Sequence, residues 1–591
     1  MSIQRASKFQ SLQKSDFNSD IAGGHECTDE EFDHFQKFTT AMGITGIDGL
    51  IRCYNCSDCI FLADSLQAIR EKFFSEFKLD IINYITLPQF SWSCFLRYSG
   101  VRIERVMDPT MAMELSANTF GGFSNVYCRL IRFNDPRASD YDPDRIPVCP
   151  AQFDATNLYG FTMASRMPLC SHKYLSDAEV ASIDKEFILS HDEESSDVSY
   201  FLKVDIHFNR DFQKSEIHRL FPIGVANQVI TEDQYSPETL ISYLKAHRDI
   251  PASQTKLIGS FMPLLGKTFH IGYIKFLLEE GATLTKVHSV ISFTQKNYFQ
   301  DYINHCTSLR NAAASDLESK IMKLSVNALF GKSLVRESLY STDYKFVTSE
   351  RQLTKQMRNP LIMDWTIYSS KLIGIKVQRP ILYLKSARFI GKAVLDKSKA
   401  YIFRRILEQL RWAYAHSIRP VVGRIDTDGW LLGFFNCKSI DDMKYDLRQH
   451  IDCSTFPKDH KYFSLHNFRK LGSLKDELFN CVLKESVSLR PKAWSSIIEY
   501  VDPDTKQIIE DHEHRKKSVP KSIVIKHYIY KKCLLERKTH TVQYKTIIGK
   551  KLTNWTIKTS RKGLDATNDK NYAVSAVNSI PYNTYFIKSN P

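Results

Sequence analysis

Two acidic segments at the margins of apolar runs constrain this chain more than any other feature. They are Asp154-Ala-Thr-Asn-Leu-Tyr159-Gly160 and Arg424-Ile-Asp426-Thr-Asp428-Gly429. Carboxylates at the ends of buried strands are costly unless they are paired or hold a metal. Two such segments far apart in sequence predict one shared site for hard divalent cations, which oxygen donors suit. Between them, Lys323-Leu-Ser-Val-Asn327-Ala-Leu-Phe330-Gly331 sets Lys323 and Asn327 at i, i+4 on one helix face. A cation and an amide facing the same way suit a triphosphate, and metals beside a cationic helix are the means of phosphoryl transfer. Each segment taken alone has a plainer reading. Asp154 can be a turn aspartate, Asp428-Gly429 a hairpin, Tyr159 a half-buried aromatic and Lys323 part of a solvated face. A hairpin can also present catalytic carboxylates.

The three segments resemble motifs A, B and C of family B DNA polymerases, in that order. The spellings Asp154–Gly160 and Lys323–Ser333 are similar to the protein-primed branch, nearest to polymerases of Maverick/Polinton transposons and related to those of adenoviruses and linear plasmids. Further stretches carry the resemblance along most of the chain. Leu471-Gly-Ser-Leu-Lys475-Asp-Glu477 and Ser488-Leu-Arg-Pro-Lys492-Ala-Trp494 resemble the family's stretch that ends in a Lys-x-Tyr motif. Thr119-Phe-Gly121-Gly122 stands where the family has Tyr-x-Gly-Gly, and Lys517-Ser-Val-Pro-Lys521 resembles the opening of its C-terminal region.

The resemblance implies a role for each matched residue. Asp154 and Asp428 would hold two magnesium ions, with manganese able to replace them, and Asp426 would be a supporting acid. Tyr159, with Leu158 beside it, would exclude ribose; Lys323 would bind the triphosphate and Asn327 would line the nucleotide pocket. Arg310 or Lys320 would be a second phosphate ligand, although a 13-residue offset from Lys323 puts Arg310 off its face on a straight helix. Lys492, Gly121 and Gly122 would touch primer or template. Four positions depart from the pattern: Gly429 for Ser, Phe330 for Tyr, Trp494 for Tyr and Thr119 for Tyr. Hydroxyl hydrogen bonds are lost there, but no metal ligand is.

The implied fold is α+β, a right-hand polymerase of palm, fingers and thumb after the C-terminal remnant of a ribonuclease H-like exonuclease. Residues 1–45 form a poorly determined segment and 46–147 the partial exonuclease-like domain and linker. Palm follows at 148–228 and 229–290, the latter with a candidate insertion for a priming protein. Fingers occupy 291–334, a second candidate insertion 335–385, palm 386–500, and thumb with the basic C-terminal region 501–591. Period-2 alternation predicts a strand at Phe201–Phe208, with another strand-like run at Tyr84-Ile-Thr-Leu87 and a helix from Ala387 to about Ala415. Tyr54 and Asp58 match the third proofreading motif, Tyr-x-x-x-Asp. The upstream motifs have no room, so proofreading is expected to be lost through truncation or decay. Cys53, Cys56 and Cys59 overlap that motif, but Ala63 stands where an iron–sulfur pattern wants a fourth Cys.

The net charge is +14, and its placement agrees with a nucleic-acid partner. Between Arg515 and Lys562 stand 15 Lys/Arg against one acid, Glu536, so this segment holds the whole excess. Tyr528, Tyr530, Tyr544 and Trp555 interleave with the charge, and Lys550 and Lys551 are candidate phosphate contacts. No apolar stretch of spanning length occurs, Met1-Ser-Ile-Gln-Arg5 lacks a signal-peptide pattern, and thirteen scattered cysteines suit a reducing compartment. The expectation is a soluble intracellular protein without a membrane partner, in the nucleus or at another host-cell replication site. Its partners would be primer-template DNA, dNTPs and a terminal priming protein. The alternatives are a decayed transposon-derived DNA-binding protein and a metal-dependent nuclease, against which the nucleotide-binding pair Lys323 and Asn327 argues.

Overall fold

The computed structural model is a mixed helix and sheet protein that describes residues 12–21, 24–336, 341–381, 384–502, 504–517, 519–550 and 553–585. The chain divides into two units. Met1–Phe90, Lys516–Ile525 and His540–Gly563 form the smaller, and Ser91–Arg515, Lys526–Thr539 and Leu564–Pro591 the larger. No helix among the described residues is long and apolar enough to cross a membrane.

In the smaller unit, a helix Asp29–Ala41 starts on a capping box. Glu31 N donates to Thr28 Oγ1 at 3.2 Å and Thr28 N to Glu31 Oε2 at 2.8 Å. Asp29-Glu30-Glu31 is therefore a first helical turn, where the helix dipole favours acids. A second helix, Ile47–Phe77, ends at Lys78 with φ of 52°. The strand expected at Tyr84–Leu87 does not form. Arg70 holds both oxygens of Asp80, Asp80 caps a 3-10 turn at Ile81–Asn83, and the chain bends to bring the Tyr84 and Phe73 rings onto Phe90. Among the described residues from 46 to 117 there are helices and turns but no strand. The expected ribonuclease H-like remnant thus has no sheet in that stretch.

The 501–591 region, expected as thumb and basic C-terminal region, has residues in both units. The two-stranded sheet of His540–Lys550 and Thr553–Leu564 falls in the smaller unit, apart from its last residue. The helix His527–Glu536 falls in the larger, where Lys531 Nζ lies 2.8 Å from Glu485 Oε2 and Arg537 pairs with Glu238. In the smaller unit Lys545 pairs with Asp20. Part of the basic segment is therefore spent on internal ion pairs.

The larger unit is built on a five-stranded antiparallel sheet of β1 (Ser124–Val126), β2 (Val148–Ala155), β3 (Arg419–Asp426), β4 (Gly429–Phe435) and β5 (Leu474–Asp476), in the order β1-β3-β4-β2-β5. Strands β2 and β4 are central and buried almost throughout, as their apolar runs require. Four helices position the site: α1 (Leu158–Met163), α2 (Gln300–Asn311), α3 (Asp316–Ser333) and α4 (Arg388–Ala415). Ile402, Phe403, Ile406, Leu407 and Leu410 of α4 join Phe153, Trp430 and Leu432 of the sheet in one core.

Further sheets complete the frame. Val198–His207 forms over the period-2 run, in a four-stranded sheet with Met167–Tyr174, Leu264–His270 and Thr283–Lys296. Val482–Arg490 and Ala493–Val501 form a hairpin in a second four-stranded sheet. In the stretch expected as a second insertion, Thr342–Val347, Ile362–Ser369 and Leu372–Gln378 fold as their own sheet over a small core of Val347, Ile375 and Val377. Within 229–290, the candidate priming-protein insertion, Ser253–Gly259 pairs with Val225–Thr231 around a helix Pro237–Lys245.

Candidate active site

Asp154 lies next to the end of β2, where the chain turns at once into α1. Asn157 makes the turn possible: its φ is 47°, and its side-chain oxygen caps α1 by accepting from Gly160 N at 3.2 Å. A Cβ at 160 would stand 2.5 Å from Asn157 Nδ2, so the glycine lets this cap close. The same turn puts Tyr159 one residue into the helix and buries Leu158 in the core.

Strands β3 and β4 meet in a hairpin, but its special residue is Thr427 rather than the Asp428-Gly429 pair that the sequence signals. Thr427 has φ of 68°, and Asp428 N donates to Asp426 O at 2.9 Å, closing a three-residue turn. That i→i+2 form is strained for a β-branched residue. The Gly-Gly loop supports it: Thr427 N donates to Phe123 O at 2.8 Å, and a Cβ at Gly122 would stand 2.6 Å from Thr427 Oγ1. Gly121 faces open space. The Thr119 hydroxyl, which replaces the expected tyrosine, donates to Leu115 O at 2.6 Å.

The register then joins the two acidic segments. Gly429 opposes Asp154, and Ala155 N donates to Asp428 O at 2.8 Å. Asp154 and Asp428 therefore arrive at the same end of adjacent strands. A Cβ at 429 would stand 2.9 Å from Asp154 Oδ2, so glycine in place of the expected serine leaves that oxygen room. Burial, with the Asp428 charge second, pushes the Asp154 carboxyl up to about 7. Burial, with the Asp426 charge adding, raises Asp428 as well. Two carboxylates in one desolvated place disfavour full ionisation until a cation joins them. Among the described residues no group of three or more His, Cys, Asp or Glu side chains gathers as a metal site.

Asp426 is placed differently. Its Oδ1 lies 2.9 Å from Lys492 Nζ, and Lys492 sits in the two-residue turn of the 482–501 hairpin with φ of 64°. Trp494, next along that hairpin, stacks on the Arg424 guanidinium at 4.0 Å. Arg424 is itself buried and donates to Ser486 Oγ at 2.6 Å and Gln152 Oε1 at 3.1 Å. The ring at 494 serves this stack without a hydroxyl.

A cavity of about 650 Å³ opens on Asp154 and is lined by Arg310, Lys323, Arg469, Lys475 and Glu477, among others. Arg310 reaches it because the chain breaks at 312–315 into two helices, α2 and α3, so the straight-helix offset does not apply. Lys320 instead pairs with Asp316 at 2.8 Å on the exposed face of α3. Asn327 is exposed on the Lys323 face but does not line the cavity. The Tyr159 ring stacks on Phe330 with centroids 4.0 Å apart, so phenylalanine in the motif keeps the aromatic contact.

Sequence reading missed three of these residues as site members, Arg469, Lys475 and Glu477. Lys475 stands directly opposite Asp154 in the β5–β2 register and 3.0 Å from Glu477; the alternating burial of Leu474-Lys475-Asp476 is the signal that turns it outward. Arg469 lies in an irregular loop with no periodic pattern. Tyr54 and Asp58 lie on the helix Ile47–Phe77 in the smaller unit, with Tyr54 exposed. Lys550 ends a strand of the smaller unit, and Lys551 lies outside the described residues.

No family model matches the sequence, and no curated protein matches it. Among solved structures, the chain is similar to phi29 DNA polymerase complexed with primer-template DNA in a post-translocation binary complex. The TM-score is 0.48, at 12% identity over 84% of this chain and 70% of that one. It is also similar to the orthorhombic crystal form of that polymerase (TM-score 0.47, 12% identity, 83% and 69% covered) and to its ternary complex with primer-template DNA and incoming nucleotide substrates (TM-score 0.46, 12% identity, 81% and 68% covered).

Proposed function

We propose that this chain is a template-directed DNA polymerase that adds deoxynucleotides to a 3′-hydroxyl or, at initiation, to a hydroxyl of a priming protein. The finer placement, with the protein-primed polymerases of Maverick/Polinton elements, rests on the motif spellings. One observation carries the functional reading: the β4–β2 register sets Asp154 and Asp428 at one strand end, with the Arg310 and Lys323 cavity opening on Asp154. Two desolvated oxygen donors of like charge fit magnesium or manganese, with water and phosphate oxygens filling the other positions. Asp154 and Asp428 would hold the metal, which supplies charge neutralisation and activation of the attacking hydroxyl. Arg310 and Lys323 bind the triphosphate, Tyr159 on Phe330 forms a floor for the sugar, and Lys492 faces the primer end. Primer extension with magnesium and four dNTPs tests the reading. Template-copied products support it. Duplex binding without extension favours the decayed DNA-binding alternative, and primer degradation a nuclease.

Two further outcomes are expected. Arg310→Ala and Lys323→Ala should each raise the KM for dNTP by about tenfold or more, the worth of a charge-assisted hydrogen bond, whereas Lys320→Ala should leave it unchanged. Steady-state kinetics over a dNTP series reads this directly; a Lys320 effect equal to that of Arg310 would reverse the assignment. Tyr159→Val should cut the preference for dNTP over rNTP by about tenfold or more by removing the ring that Phe330 supports. A ratio unchanged in paired single-nucleotide incorporations would leave Tyr159 a packing residue.

A further inference from the structure

The last described stretch of the chain returns to the strand ends beside the carboxylates. Leu564–Asp569 is buried, and the segment is pinned to β1 by paired amides. Asn125 Nδ2 donates to Asn571 Oδ1 at 2.8 Å, and Asn571 Nδ2 to Val126 O at 2.7 Å. Asp569 is turned away, onto Lys256, Tyr243 and Gln254. From this anchor Lys570 reaches toward the site: its Nζ donates to Ser124 O at 2.8 Å, and Ser124 is the register partner of Asp426. Lys492 Nζ already lies 2.9 Å from Asp426 Oδ1. The Lys570 and Lys492 charges thus both lie within interaction range of Asp426 at one end of β3.

We infer that Lys570 and Lys492 together grip a backbone phosphate of the primer strand next to its 3′ end. The inference rests on the polymerase reading and adds a residue to it. The sheet order supplies the argument. Along the strand ends, the triphosphate cavity lies on the β2–β5 side, where Lys475 opposes Asp154. Asp428, in the turn leading into β4, comes next, and the lysine pair lies beyond it on the β3–β1 side. An incoming triphosphate on one side of the carboxylates leaves the other side for the strand that attacks it. Strands about 4.8 Å apart put roughly 10 Å between β2 and β3, room for the reacting groups between the two anion sites. Burial also holds the Lys570 ammonium down to about 8, so a phosphate there would relieve a charge that the free protein keeps at a cost.

The test uses the full chain carrying Asp428→Asn, so that DNA is bound without being extended, and primer–template duplexes with one neutral methylphosphonate at each of the last primer linkages in turn. The expected result is a loss of affinity of about tenfold at one linkage near the 3′ end. Adding Lys570→Gln should cost about the same on all-phosphate DNA and make the protein indifferent to the methylphosphonate at that linkage; adding Lys570→Arg should restore the parent profile. Glutamine can keep the bond to Ser124 O, and an unchanged melting temperature excludes misfolding. A Lys570→Gln protein with the parent's affinity and linkage profile overturns the inference alone. A parent that binds no primer–template overturns the polymerase reading and this inference with it.

Discussion

Asp428→Asn is expected to reduce nucleotide addition to about a thousandth of the parent rate or less, the scale of losing a group that meets developing charge. Asp154→Asn should do the same. Both carboxylates stand free of protein cations at hydrogen-bond distance among the described contacts, and both are raised by burial and like charge. In that environment an added counter-charge favours the ionised pair. The amide keeps the shape and removes the charge, so the fold and duplex affinity should persist. Asp426→Asn should cost far less, because that carboxylate faces Lys492 and is about 41% exposed. Single-turnover primer extension separates the three. Equal losses at Asp426 and Asp428 would show that the hairpin acts as one unit and that the division drawn between its acids is wrong.

What the sequence made legible was local pattern. The helix expected from Ala387 runs Arg388–Ala415, the period-2 run at Phe201 lies in Val198–His207, and the Asp-Thr-Asp segment is a hairpin. Within the stretch expected as fingers, 291–334, there are two helices rather than one, because Ser315 caps a new one by accepting from Glu318 N at 3.2 Å. Long-range register was not legible. Nothing local in Lys475 says that it opposes Asp154, or in Lys570 that it reaches Ser124.

Helix α4 shows a different blindness. Nothing in the expected helix marked Lys392, Asp396 and Lys399 as buried, yet all three are. Lys392 Nζ donates to Asn118 O at 2.7 Å and Lys399 Nζ to Phe120 O at 2.9 Å, while Asp396 accepts from His270 N at 3.0 Å. Carbonyls and an amide from elsewhere in the fold, with Asp396 lying 3.5 Å from Lys392 and 3.7 Å from Lys399, stand in for water around these charges. They also fix the stretch that leads into Gly121-Gly122 and the Thr427 turn. At Tyr84 the failure was of the opposite kind, a run with strand propensity but no neighbouring strand.

The same electrostatics predict that an inactivating substitution stabilises the protein. The Asp154 carboxyl is raised from 3.8 to about 7, so the folded chain keeps a proton that the unfolded chain gives up. A group raised on folding contributes least above its folded pKa: parent stability falls as pH rises from about 4 to about 7, and the loss is then complete. An amide in place of that carboxyl has nothing to titrate. Asp154→Asn should therefore melt higher than the parent at about pH 8, by roughly 1–2 °C for 1–2 kcal/mol once solvent screening is allowed for. The gap should shrink steadily toward about pH 4. Magnesium at about pH 8 should raise the melting temperature of the parent and not of the variant, because a ligand that binds only the folded carboxylate pair stabilises by mass action. Differential scanning fluorimetry across pH, with and without the metal, reads both effects without any turnover. A variant less stable than the parent at high pH, or one that gains as much from magnesium, would mean that Asp154 is held by contacts within the protein and does not wait for a metal.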